Sequence, residues 1–86
     1  MHNTKMTHIP LGIYEGHGGK RLNHLGIGHD KQHRAFRIFH VTETSGEQTF
    51  LLLSLPAGMW DERRQTLHLG RDTYRLIHCF DKPHIP

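Results

Sequence analysis

One cysteine, Cys79, stands in the 86 residues of this chain, and a disulfide framework is thereby excluded. Between His78 and Phe80 it reads as a half-buried strand thiol rather than a nucleophile. No apolar run approaches the ~20 residues that a membrane helix needs. Met1 to Pro10 also lacks the apolar stretch of a secretory leader. These absences point to a cytoplasmic protein with no membrane partner. Helical periodicity is scarce as well. The only helical candidate runs from Pro56 to Arg64, where Pro56 and Gly58 limit it to a single expected turn. Apolar residues make up 35% of the chain, little for a globular domain.

What is present still argues for one folded domain. A chain of this length buries only about 60–65% of the surface its unfolded form exposes, so the core is thin and leaves room for a partner or for self-association. Phe36, Phe39, Phe50, Phe80, Tyr14, Tyr74 and Trp60 argue against disorder, because each brings a large area to bury. Residues 1–8 are polar and read as a loose arm. The segment 82–86, KPHIP, reads as a tail in which two prolines stop any regular element. The domain is expected over 9–81. Lys and Arg number 11 against 8 Asp and Glu, and there are 10 histidines. Such a surface attracts anions before any specific contact forms, although a net charge of +3 also serves plain solubility.

Three hairpins are legible. In FRIFHVTETSGEQTFLLLSL, residues 36–42 and 49–55 are β-branched and aromatic, with Ser45-Gly46 at their midpoint. Pairing about that midpoint sets Phe39 opposite Leu52 and Val41 opposite Phe50 on one face. Ile38 then meets Leu53, and Phe36 meets Leu55, on the other. With both faces apolar, this hairpin is expected at the centre of the sheet. A second hairpin reads in QTLHLGRDTYRLIHCF about Gly70-Arg71-Asp72. The third pairs Ile9–Glu15 with Arg21–Gly28 about the glycines of GHGG. Five to six short strands with turns between them predict a mainly β fold, either a small antiparallel barrel or a strongly bent sheet.

With the strands placed, residues 12–77 resemble a short bacterial domain family of unknown function, number sixteen-fifty-three. The resemblance is carried by Gly12-Ile13-Tyr14, Gly19, Leu25-Gly26, Met59-Trp60-Asp61-Glu62 and Gly70 through Ile77. Gly16 stands where the family has a histidine, with His17 one place on, and Ser54-Leu55-Pro56 replaces an Arg-Pro-Leu. The resemblance implies a compact SH3-like barrel and no activity.

The chemistry in the sequence is that of binding. GHGGKR has the Gly-Lys pair of a P-loop, but Arg21 replaces the hydroxyl residue and Tyr14 stands where the first glycine is needed. No helix pattern follows for a dinucleotide fingerprint. A looser anion nest remains, with Gly16, Gly18 and Gly19 letting amides approach while Lys20 and Arg21 supply charge. The plainer reading is a glycine-rich turn with solvated bases. Metal ligation would need two closely spaced ligands in one segment and two more elsewhere. His17, His24, His29 and His33 do not follow that spacing, and His68 and His78 lie on opposite arms of the last hairpin. For catalysis, Asp30 is the one acid placed to orient His33, and only if that stretch is a loop.

Arg34 with Arg37, Arg63 with Arg64, and Arg71 with Arg75 are interleaved with Phe36, Phe39, Trp60 and Tyr74, a mixture that small barrels use for single strands. The alternative is that Phe36, Phe39 and Tyr74 are core.

The expectation is therefore a non-enzymatic module, without a cofactor, that captures a nucleotide-type anion or a short single-stranded nucleic acid. Its expected ligand-binding residues are Tyr14, His17, Gly18, Gly19, Lys20, Arg21, Arg37, Trp60, Arg71 and Arg75, with Tyr14 and Trp60 stacking. The alternatives are a small protein-interaction module, an inhibitor or adaptor, docking through a sheet edge or Trp60, and a histidine-metal enzyme; a homo-oligomer stays open as a separate partner expectation.

Overall fold

The computed structural model describes residues 8–55 and 58–80. The arm expected over 1–8, His8 apart, and the tail over 82–86 fall outside these residues, as do Pro56 and Ala57. Among the described residues seven antiparallel strands form one sheet: β1 (Gly12–Glu15), β2 (Arg21–His29), β3 (Ala35–Thr42), β4 (Gln48–Ser54), β5 (Met59–Asp61), β6 (Thr66–Leu69) and β7 (Asp72–Cys79). Their order across the sheet is β4-β3-β2-β1-β7-β6-β5. The mainly β expectation holds at that level, with more strands than expected. Among the described residues β4 and β5 are the two outer strands and no pairing joins them. Among these residues the sheet does not close into the expected barrel.

The sheet nevertheless curls. Tyr14 on β1 and Trp60 on β5 have ring centroids 6.0 Å apart, edge to face. In a flat sheet their strands would lie about 14 Å apart, at ~4.7–4.9 Å per step. Curling lets one face cover itself. The core on that face is Ile9, Tyr14, Leu22, Phe39, Val41, Leu67 and Tyr74, with Leu53, Trp60, Leu69 and Leu76 packed against it. Among the described residues no second layer supplies the cover, as expected of so short a chain.

All three expected hairpins are present, but the 36–55 pair differs in register. Phe39 faces Leu51 and Val41 faces Thr49, while Phe50 lies opposite His40 and Leu52 opposite Ile38. The turn explains the slip. Glu43 N–H donates to Glu47 O at 2.8 Å and Gly46 N–H to Glu43 O at 2.8 Å, with Gly46 at φ +96. This makes a three-residue loop with a left-handed residue at its end, where glycine is favoured. The loop is centred on Ser45, half a residue before the expected midpoint. A one-residue change of pairing exchanges faces, so Phe50 leaves the core side for solvent. Nor is this hairpin central: β4 is an outer strand, and Leu53 is the only one of its residues not exposed.

The expected helical turn near Trp60 is also replaced. Met59–Asp61 form β5, pairing Met59 with His68, Trp60 with Leu67 and Asp61 with Thr66. Burying Trp60 against Leu67 and Tyr14 outweighs the weak local helix preference.

Candidate functional site

Strand direction sets where the turns go. β1 ends at Glu15 beside Arg21 of β2 and Arg75 of β7, and β2 begins beside Thr42, the last residue of β3. The turns at 16–20, 43–47 and 70–71 therefore gather at one end of the sheet. Contacts bind them together. The Thr44 hydroxyl donates to Gly18 O at 3.1 Å, and Lys20 Nζ lies 3.9 Å from Glu43 Oε2. Gly18 and Gly19 take the positive φ values of +72 and +87 that suit glycine. Gly16 N–H donates to Lys20 O at 2.7 Å and closes the first turn.

Between the 16–20 turn and the start of β7 lies a hollow of about 500 Å³, lined by His17, Lys20, Arg71, Asp72, Thr73 and Tyr74. Lys20 Nζ stands 5.9 Å from the Tyr74 ring centroid, within cation–π reach. The Tyr74 hydroxyl, then the charges of Glu43 and Asp72, favour the ammonium form and keep Lys20 above the ordinary lysine value despite some desolvation. Its basic groups come from two different hairpins. Asp72 offsets part of their charge.

The expected site residues divide into four groups. His17, Lys20 and Arg71 share the hollow, with Gly18 and Gly19 in the turn that carries two of them. Arg21 lies across from Glu15, their charged groups 3.9 Å apart, and Arg75 faces Glu15 from the other side. Tyr14 and Arg37 belong to the interior instead. Tyr14 is 0% exposed and its hydroxyl donates to Pro10 O at 2.6 Å, so it has no free face for a ligand. Burial pushes its pKa up, with smaller and opposing contributions from Cys79 and Arg37. Arg37 is 4% exposed, and desolvation draws its pKa down.

Trp60 rims a separate hollow of about 370 Å³ with Met59, Asp61, Glu62, Arg63 and His68. Its indole Nε1–H donates to Glu62 Oε1 at 2.8 Å, and the ring is half-buried. Asp72 and Thr73 were not expected in a site, and Tyr74 was expected there only as one of the aromatics interleaved with arginines, with a core position as its alternative. The Gly70-Arg71-Asp72 turn was visible in the sequence, but its place beside GHGG follows from the long-range pairing of β1 with β7.

A buried polar cluster was not legible in the sequence. His24 is 1% exposed and stacks on Phe39 with centroids 4.9 Å apart. Its Nδ1 lies 3.1 Å from Pro10 O, and its Nε2 lies 3.4 Å from Arg37 NH1. A carbonyl accepts only, and a guanidinium donates only. Nδ1 therefore carries the proton and Nε2 accepts, which makes His24 neutral. Burial, chiefly, lowers its pKa. Together Tyr14 and His24 occupy the Pro10 carbonyl.

The remaining candidates come apart. Asp30 Oδ1 accepts from the backbone N–H groups of Gln32 and Arg34 at 2.8 and 2.9 Å, and Oδ2 accepts from Arg34 Nε at 2.9 Å. Those bonds, led by the Arg34 backbone, hold its pKa down. Asp30 thus folds its own turn rather than orienting the His33 ring. His68 Nδ1 meets the Thr73 hydroxyl at 3.1 Å, while His78 faces Ile13 across the sheet. Among the described residues no three His, Cys, Asp or Glu side chains converge as a metal set. No helix there is long and apolar enough to cross a membrane. Phe39 and Tyr74 are core residues. Compared with protein-family models, curated proteins and solved structures, the chain finds no match in any of the three.

Proposed function

We propose that this chain is a small non-enzymatic binding module that holds a phosphate-bearing small molecule of nucleotide type in the hollow at the three-turn end. One observation carries the reading: His17, Lys20 and Arg71, drawn from two hairpins far apart in sequence, line one concavity. Its size falls in the ~300–1,000 Å³ range of small-molecule sites. Lys20 and Arg71 would meet phosphate oxygens through charge-assisted hydrogen bonds, and His17 would add a donor. Asp72 would take a ribose hydroxyl, as a carboxylate accepts from a neutral donor. A single nucleic-acid strand is the weaker version, since Phe39 and Tyr74 of the interleaved aromatics are interior.

The test is calorimetric titration with inorganic phosphate, nucleoside mono-, di- and triphosphates and short single-stranded oligonucleotides, at low and high salt. Lys20→Gln and Arg71→Gln should each weaken nucleotide binding about tenfold or more, because a hydrogen bond to a charged group is worth about 1.5–3 kcal/mol. Binding should also fall as salt rises. No heat with any of these ligands at low salt ends the reading.

A further inference from the structure

The two outer strands of the sheet are built differently. β5 is three residues long and ends in Asp61, with Glu62, Arg63 and Arg64 following. Short, charged edges resist pairing with other chains. β4, QTFLLLS, is seven residues long and contains no charged side chain. Phe50 is 68% exposed, Leu52 58% and Leu51 37%, so both faces of this edge present apolar surface. A phenylalanine brings ~150–250 Å² to a contact, and most of that area is still open on Phe50.

The hydrogen bonding shows which way the β4 backbone points. Leu55 N–H donates to Ala35 O at 3.3 Å and Glu43 N–H to Glu47 O at 2.8 Å, with Phe39 facing Leu51 between them. Odd-numbered positions therefore bond to β3. Antiparallel ladders alternate, so Gln48, Phe50, Leu52 and Ser54 turn their N–H and C=O groups toward the open edge.

We infer that this edge pairs with a second copy of the chain, β4 against β4, antiparallel about a two-fold axis through Leu51. Pairing is isologous, as closed dimers require. With Leu51 opposite its own copy, all seven residues of each strand overlap. Phe50 then faces the partner's Leu52, Gln48 faces the partner's Ser54, and both pairs are of the hydrogen-bonded kind. The same register brings the exposed apolar side chains of each copy together on one face and the two Leu51 side chains together on the other. Charge sets little against a like partner at this contact: β4 carries no charged side chain, so two chains of net charge +3 meet where neither brings charge to the seam. The contact is independent of the anion hollow.

Sedimentation equilibrium of the full chain over the micromolar range should show monomer and dimer only. Leu52→Lys, at an exposed position, should raise the dimer dissociation constant at least tenfold while circular dichroism stays unchanged. In a Cys79→Ser background, Leu51→Cys should crosslink several-fold faster under mild oxidation than Phe50→Cys. Directly opposed residues of a non-hydrogen-bonded pair sit with Cα atoms about 4.5 Å apart, inside the disulfide range. In the unsubstituted chain, amide exchange at Phe50 and Leu52 should slow as concentration rises. A monomer at every concentration, an open-ended assembly, a complex formed only with a different protein, or equal crosslinking from positions 50 and 51 would each overturn the inference.

Discussion

Replacing His24 by Asn and following stability against pH separates a buried neutral imidazole from the exposed histidines of the chain. In the folded state Nδ1–H donates to Pro10 O and Nε2 accepts from Arg37, with Phe39 against the ring. A proton on Nε2 would point at a guanidinium in a site closed to water. Desolvation first, then the charges of Arg37 and His8, lower the His24 pKa against the opposing hydrogen bonds to Pro10 and Ile9. In the unfolded chain the ordinary value is about 6.5. Above it neither state takes up the proton and the group contributes no pH dependence. Below it the unfolded state binds more protons, so stability falls with pH until the folded-state value is reached.

One withheld proton removes at most about 1.4 kcal/mol per pH unit. Against a total stability of about 4–13 kcal/mol for a chain this long, that loss is measurable. Urea unfolding would be followed at about pH 7.5, 6.5 and 5.5 for the wild type and for His24→Asn. The Asn amide retains a donor for Pro10 O but takes up no proton in this range. At the highest pH the variant should be less stable by about 1–3 kcal/mol, from the lost packing on Phe39 and the lost hydrogen bond between Nε2 and Arg37 NH1. By the lowest, the gap should narrow by about 1 kcal/mol. Subtracting the curves removes the histidines common to both. Parallel curves would refute the assignment of a neutral His24.

Leu67→Ala should cost about 2–5 kcal/mol, because Leu67 is fully buried between Trp60 of β5 and Tyr74 of β7; thermal unfolding should shift down by about 10 °C or more, and a negligible shift would remove it from the core. Gly16→Ala should cost about 1–3 kcal/mol. Gly16 sits at φ −109, open to any residue, so the penalty is steric: an added Cβ would stand 2.6 Å from two carbons of the buried Tyr74 ring. A shift of the urea midpoint measures it, and a neutral outcome would show that the ring has room to move.

The hairpins were legible because turn chemistry and β-rich runs are local. Gly46, Gly70 and the GHGG glycines mark chain reversals whatever surrounds them. His17, Lys20 and Arg71 could be nominated for the same reason, since each belongs to such a turn. Their sharing of one hollow was not legible. It depends on β1 pairing with β7, across more than half the chain.

Sequence alone determined that this is a β protein with glycine-marked chain reversals, because strand preference and turn preference are properties of short segments. Tertiary structure decided the parity of each strand, and so placed Tyr14 and Arg37 inside and Phe50 outside. It also left β4 at an edge rather than at the centre. The first outcome rests on register, since moving a pairing by one residue sends every side chain to the opposite face yet leaves composition and local pattern unchanged. The second rests on strand order, which long-range pairing sets.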